Sequence, residues 1–87
     1  MMQVTEAARE NLSGAIDRIR ADGAADAVFR IIEDQGNKLA LTIDTPAPED
    51  VTFEKDGKPI LVVDEEIAQR CEGRTLDDDG KGNLKLM

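Results

Sequence analysis

No histidine, tryptophan or tyrosine occurs among the 87 residues, and the only aromatic side chains are Phe29 and Phe53. The missing histidine removes the commonest general base at neutral pH and the commonest nitrogen ligand for metals. With two aromatics, aliphatic side chains must fill the core. A single cysteine, Cys71, cannot form an internal disulfide, and a cytoplasmic home is the expectation. No apolar run approaches the roughly 20 residues that span a bilayer. The first twenty residues carry acidic side chains and no 7–15-residue apolar core of the kind a secretory signal needs. Positive charge is also scarce. Eleven basic residues face nineteen acidic ones, for a net charge of −8. Such a surface repels phosphate backbones and anionic lipids, so nucleic acid and membrane are excluded as partners.

What is present reads as one domain spanning 1–87, whose length leaves only a thin core. Its centre is Lys38 to Val63. Leu39, Leu41 and Ile43 alternate with Ala40, Thr42 and Asp44, the period of a half-buried strand. Thr45-Pro46-Ala47-Pro48 interrupts the ladder, because each proline removes a backbone donor. Val51 and Phe53 alternate with Thr52 and Glu54 in a second strand. Asp56-Gly57 signals a hairpin. Ile60 to Val63 is an unbroken apolar run, as in a strand covered on both faces.

On the N-terminal side, Thr5 can cap a helix and Glu6 suits its positive end. Ala8, Leu12, Ala15, Ile16 and Ile19 form one face. Core packing explains that face, and a partner-binding surface is the sharper alternative. Asp22-Gly23 ends the helix. Ala27 to Glu33 reads as a strand with Phe29 and Ile31 on one side and Val28, Arg30 and Ile32 on the other. Asp34-Gln35-Gly36-Asn37 turns it into a hairpin with Leu39–Ile43. After Val63, Asp64-Glu65-Glu66 starts a short helix that Glu72-Gly73 closes. Arg74-Thr75-Leu76 and Leu84–Leu86 are short strands around a polar turn. The core predicted from these patterns joins Leu39, Leu41, Ile43, Val51, Phe53, Ile60 and Val62 to Leu12, Ile16 and Ile19.

Three stretches invite a chemical reading. Asp77-Asp78-Asp79-Gly80 begins like a calcium loop, but Lys81 occupies the place of the third ligand and no glutamate closes the site, so it reads as a solvated turn. Asp64-Glu65-Glu66 pairs carboxylates, which a helix cap explains without catalysis. Gly80-Lys81-Gly82 lacks the spacing of a phosphate loop.

The run Thr45 to Glu54, followed by Asp56-Gly57 and Ile60 to Asp64, resembles the HesB/IscA-like family, the A-type proteins of iron–sulfur cluster assembly. The opening Val4-Thr5-Glu6-Ala7-Ala8 is similar to that family's helix entry. Cys71-Glu72-Gly73-Arg74-Thr75-Leu76-Asp77 resembles the segment after its second helix. The resemblance implies a β-rich α+β fold: a HesB-like distorted antiparallel barrel with an N-terminal helix and a second short helix. It also implies protein partners, with a homo-oligomer as one arrangement. The family's three cysteines are not matched. One belongs in the first hairpin, where this chain has Asp34 to Asn37. Two belong in a Cys-Gly-Cys-type pair near the C-terminus, and the sequence reaches Gly82 to Met87 before that pair would appear. Cys71 falls on an apolar family position and reads as a buried small hydrophobe. Iron–sulfur clusters are normally held by thiolates, four in the common case. No catalytic, cofactor-binding or metal residue is therefore assigned, and no cofactor is expected. The functional expectation is a non-enzymatic interaction or regulatory module related to iron–sulfur assembly that does not hold a cluster. The alternatives are a carrier of iron or a cluster that uses Cys71 and carboxylates at a subunit interface, and a small-ligand-binding domain or enzyme.

Overall fold

Thr5 separates an extended entry from a helix. Gln3–Val4 form a two-residue strand, β1. Thr5 keeps extended backbone angles, and its Oγ1 accepts the Ala8 amide at 3.1 Å. Helix α1, Glu6–Ala21, begins there and ends at Asp22, followed by Gly23 at φ 113°. Ala8, Leu12 and Ile16 are its buried residues, so the expected apolar face is core. The computed structural model describes residues 1–34, 36 and 38–87. The remaining elements are β2 (Val28–Glu33), β3 (Leu39–Asp44), β4 (Val51–Lys55), β5 (Lys58–Val63), α2 (Glu65–Arg70), β6 (Thr75–Asp78) and β7 (Leu84–Leu86). The turn expected at Asp34 to Asn37 falls partly outside the described residues at Gln35 and Asn37. The hairpin it closes is present as the β2–β3 pair.

The strands form two open sheets, one four-stranded in the order β3-β2-β5-β4 and one three-stranded in the order β1-β6-β7. This is the strand-rich α+β architecture expected, with both helices. Two pairings are parallel, β2 with β5 and β1 with β6, which a purely antiparallel reading did not contain. The reason lies in the side chains. In β5, Ile60 to Val63 are all buried, so this strand needs neighbours on both edges and cover on both faces. It takes β2 on one side and β4 on the other, and the more polar β3 and β4 become the edges. The β4–β5 hairpin turns through Asp56 at φ 53° and Gly57 at φ 80°, the two positive φ values of a type I′ turn.

The core cluster lies between α1, the inner face of the larger sheet, α2 and β6. It contains Leu12, Ile16, Ile31, Phe53, Ile60, Leu61, Val63, Cys71 and Leu76, with Ile19, Phe29, Leu39 and Val51 partly buried against it. Three predicted core residues, Leu41, Ile43 and Val62, lie outside this cluster. Leu41 is 40% exposed and Ile43 52%. They share a sheet face with Ile31 and Phe29, opposite which they pair in β2, but β3 is the edge strand and α1 does not reach over it. Val62 is fully buried yet outside the main cluster. In register it stands beside Arg30 and Thr52, on the opposite face.

Arg30 holds that second face closed. Its Nη1 and Nη2 donate to Asp50 Oδ1 and Oδ2 at 2.8 and 2.7 Å, its Nε to Asp44 Oδ2 at 2.7 Å, and Nη2 also to the Thr45 carbonyl at 3.2 Å. Asp50 Oδ2 accepts the Ala47 amide as well. The proline-containing loop 45–50 is thereby fastened to the sheet.

Candidate functional site

Cys71 ends α2. Its amide donates to the Ile67 and Ala68 carbonyls at 3.0 and 3.2 Å, and the residue is 1% exposed within the core cluster. A thiol sealed among aliphatic groups lacks the electropositive, accessible setting that makes cysteine reactive. The first hairpin presents an oxygen-lined turn instead of a thiol: Asp34 Oδ1 accepts the Gly36 and Lys38 amides at 2.9 and 3.0 Å. Asp64 Oδ1 accepts the Ile67 amide at 2.9 Å, which makes it the cap of α2, with Glu65 and Glu66 in the first turn.

The acidic run at the end of β6 and into the turn after it spends its oxygens on the protein itself. Asp77 Oδ1 accepts the Thr5 hydroxyl at 2.7 Å and the Asp78 amide at 2.8 Å. Asp78 Oδ2 accepts Asn11 Nδ2 at 2.9 Å, and its Oδ1 accepts the Gly80 amide. Asp79 Oδ1 accepts the Lys81 and Asn83 amides. These bonds stabilise the ionised form, so the Asp78 carboxyl is lowered chiefly by Asn11 and the Asp79 carboxyl chiefly by the Lys81 amide. Four residues that begin like a calcium loop are thus the clasp between α1 and the β6–β7 turn. Asn11 Nδ2 adds a second bond, to the Gly82 carbonyl at 2.9 Å.

A groove of about 410 Å³ opens between the two sheets. Its walls are Ile31, Leu39 and Leu41 on one side and Leu76, Leu84 and Leu86 on the other. Nothing in the sequence pattern announced it, because the groove exists only where the free edges of β3 and β7 approach without pairing. The Arg30–Asp44–Asp50 cluster was also unassigned in the sequence. Its one signal is an arginine set among Val28, Phe29, Ile31 and Ile32.

Neither the family models nor the curated proteins contain a match to this sequence. Solved structures do match its fold. SufA of Escherichia coli, involved in biosynthesis of iron–sulfur clusters, superposes with a TM-score of 0.60 over 99% of this chain and 78% of its own, at 18% identity. The chain has the HesB/IscA-like fold. A structure of IscA with the [2Fe-2S] cluster gives a TM-score of 0.55 over 100% of this chain and 84% of its own, at 16% identity. A protein from Aquifex aeolicus solved by NMR gives 0.59 over 99% of this chain and 89% of its own, at 23% identity. The HesB/IscA-like fold accounts for the order of helix entry, proline turn, Asp-Gly hairpin and apolar strand read in the sequence. Among the described residues no helix is long and apolar enough to cross a membrane.

Proposed function

We propose that this chain is a non-enzymatic interaction or regulatory module related to iron–sulfur cluster assembly, and that it does not itself hold a cluster. Its fold neighbours include a protein involved in making such clusters and one that carries a [2Fe-2S] cluster. The observation that carries the second half is the donor set. These 87 residues offer one thiol and no imidazole, and the thiol is sealed in the core. Iron and sulfide call for soft thiolate ligands, whereas the many carboxylates suit harder ions. The residues present do not fit a cluster.

Anaerobic incubation with iron, sulfide and reductant, followed by desalting, tests the donor-set half. No visible charge-transfer absorption is expected. Stoichiometric iron and sulfide retained by the wild type and lost in Cys71→Ser would establish the carrier reading instead. Affinity capture from the source cell tests the partner half. Enrichment of iron–sulfur assembly proteins is expected, and a reproducible set without any such protein would overturn it.

A further inference from the structure

The groove between the sheets has a strand edge on each side. β3 closes the order β3-β2-β5-β4, and β7 closes the order β1-β6-β7. Edges are normally blunted by bulges, prolines or inward charges. Neither of these two strands contains a proline, and neither shifts register against its partner. The leucines that wall the groove, Leu39 and Leu41 on one side and Leu84 and Leu86 on the other, belong to these edges.

Hydrogen bonding fixes which backbone groups each edge leaves over, because bonded and non-bonded pairs alternate along an antiparallel ladder. In the first hairpin Asp34 donates its amide to the Lys38 carbonyl at 2.8 Å. Ala40 and Thr42 therefore bond inward to β2, and Leu39 and Leu41 turn their N–H and C=O groups outward. In the smaller sheet Thr75 and Met87 exchange bonds of 3.1 and 2.8 Å, and Asp79 donates to the Asn83 carbonyl at 2.9 Å. Lys85 therefore bonds inward to Asp77, and Leu84 and Leu86 turn outward. The Leu86 carbonyl meets the Arg74 guanidinium at 3.3 Å. The amides of all four leucines bond to no other strand among the described residues.

We infer that the groove receives an extended segment of a different, cationic polypeptide, which inserts between β3 and β7 and pairs with both edges. Two rows of outward backbone groups select a peptide over an acyl chain, since main-chain hydrogen bonds are what a strand adds to a sheet edge. Successive side chains of an extended segment point to opposite faces. One set lies on Ile31, Leu41, Leu76 and Leu84 and is apolar. The alternate set faces water, and charge decides its sign. Eleven basic residues against nineteen acidic ones leave this chain at −8, so two copies repel each other while a basic segment is drawn in. The groove volume of about 410 Å³ is in the range of cavities that bury a bound ligand. This inference rests on the reading of the chain as an interaction module and names the chemistry of its partner.

The probe is a heptapeptide of alternating lysine and valine, blocked at both ends and titrated into the full chain at about 0.05 M salt, where charges are little screened. Saturable binding with Kd below about 1 mM is expected. Hydrogen exchange at the Leu39, Leu41, Leu84 and Leu86 amides should slow roughly tenfold or more on saturation, with little change at Ala40, Thr42 and Lys85, which are already bonded. Leu41→Lys puts a like charge on the groove wall and should weaken binding roughly tenfold. Its circular dichroism should be unchanged, because Leu41 is 40% exposed. The matching glutamate–valine peptide should also bind roughly tenfold more weakly. Four results would overturn the inference: no binding up to about 1 mM, binding without protection of those four amides, equal affinity for the glutamate–valine peptide, or laurate filling the groove while the lysine–valine peptide does not. Peptide binding as expected, alongside a cell capture without any iron–sulfur assembly protein, would refute the assembly role and leave the groove assignment standing.

Discussion

Arg30 and Asp50 meet as fork to fork across the second face of the larger sheet, with two N–H···O bonds of 2.8 and 2.7 Å and side chains only 14% and 4% exposed. Bidentate pairs of this kind combine energy with fixed geometry. Here they hold the loop containing Pro46 and Pro48, so a turn that the prolines only interrupt is fastened to β2.

That pair should govern part of the acid stability. The Asp50 carboxyl is held below its ordinary value, first by Arg30 and then by the Ala47 amide. Its folded value lies below its unfolded one, so its stabilisation is complete above an unfolded value of about 4 and is lost as pH falls through the folded value. Asp50→Asn should lower stability by about 2–3 kcal/mol at pH 7, since it removes a charged partner from a nearly buried cation. The gap to the wild type should narrow below about pH 4. Urea titrations at several pH values measure it, and a gap constant down to pH 2 would refute the linkage.

Phe53 fills the core side of β4 at 7% exposure, with the Arg9 guanidinium 5.7 Å from its ring centroid. Phe53→Ala should cost about 3–5 kcal/mol. Arg9→Met, which keeps packing and removes the cation, should cost about 1 kcal/mol, from the lost cation–π contact and the hydrogen bonds to the Val4 and Glu54 carbonyls. Chemical denaturation of both variants gives the ratio.

Exposure separates residues that the alternation alone groups together. In dilute protein, Ile31→Ala should lose about 2–4 kcal/mol, and Ile43→Ala, its neighbour on the same sheet face, less than about 1 kcal/mol. Similar losses at both positions would return Ile43 to the core.

Cys71 should react slowly with a thiol reagent in the native state and quickly in urea, because labelling requires the core around α2 to open. Native labelling as fast as in the unfolded chain would contradict its burial.

Thr5 joins two roles, capping α1 and donating to Asp77. Thr5→Ala should cost about 1–2 kcal/mol, and Thr5→Ser, which keeps the oxygen, much less. Thermal unfolding distinguishes them.

Local chemistry was legible in the residues. Thr5 and Asp64 as caps, Asp56-Gly57 as a tight turn and Ile60 to Val63 as a doubly covered strand each follow from rules that act over a few neighbouring positions. Asp77 to Gly80 read as a solvated turn because Lys81 interrupts the spacing of a calcium loop, and its first two residues instead end β6. The order of helix entry, proline turn and hairpin was enough to point to the fold. Strand β1 was missed, because two residues carry no period and Gln3–Val4 become a strand only where β6 lies beside them. The fates of Leu41 and Ile43 also needed the tertiary structure. Alternation marks which side of a strand is apolar, but not whether a helix covers that side, and the order β3-β2-β5-β4 leaves β3 beyond the reach of α1. Arg30 and Asp50, twenty residues apart, form a pair only because the parallel β2–β5 pairing folds the loop back over Arg30. Which strands become edges is decided by competition among all of them for neighbours, a property of the assembled sheet that no single stretch of sequence contains.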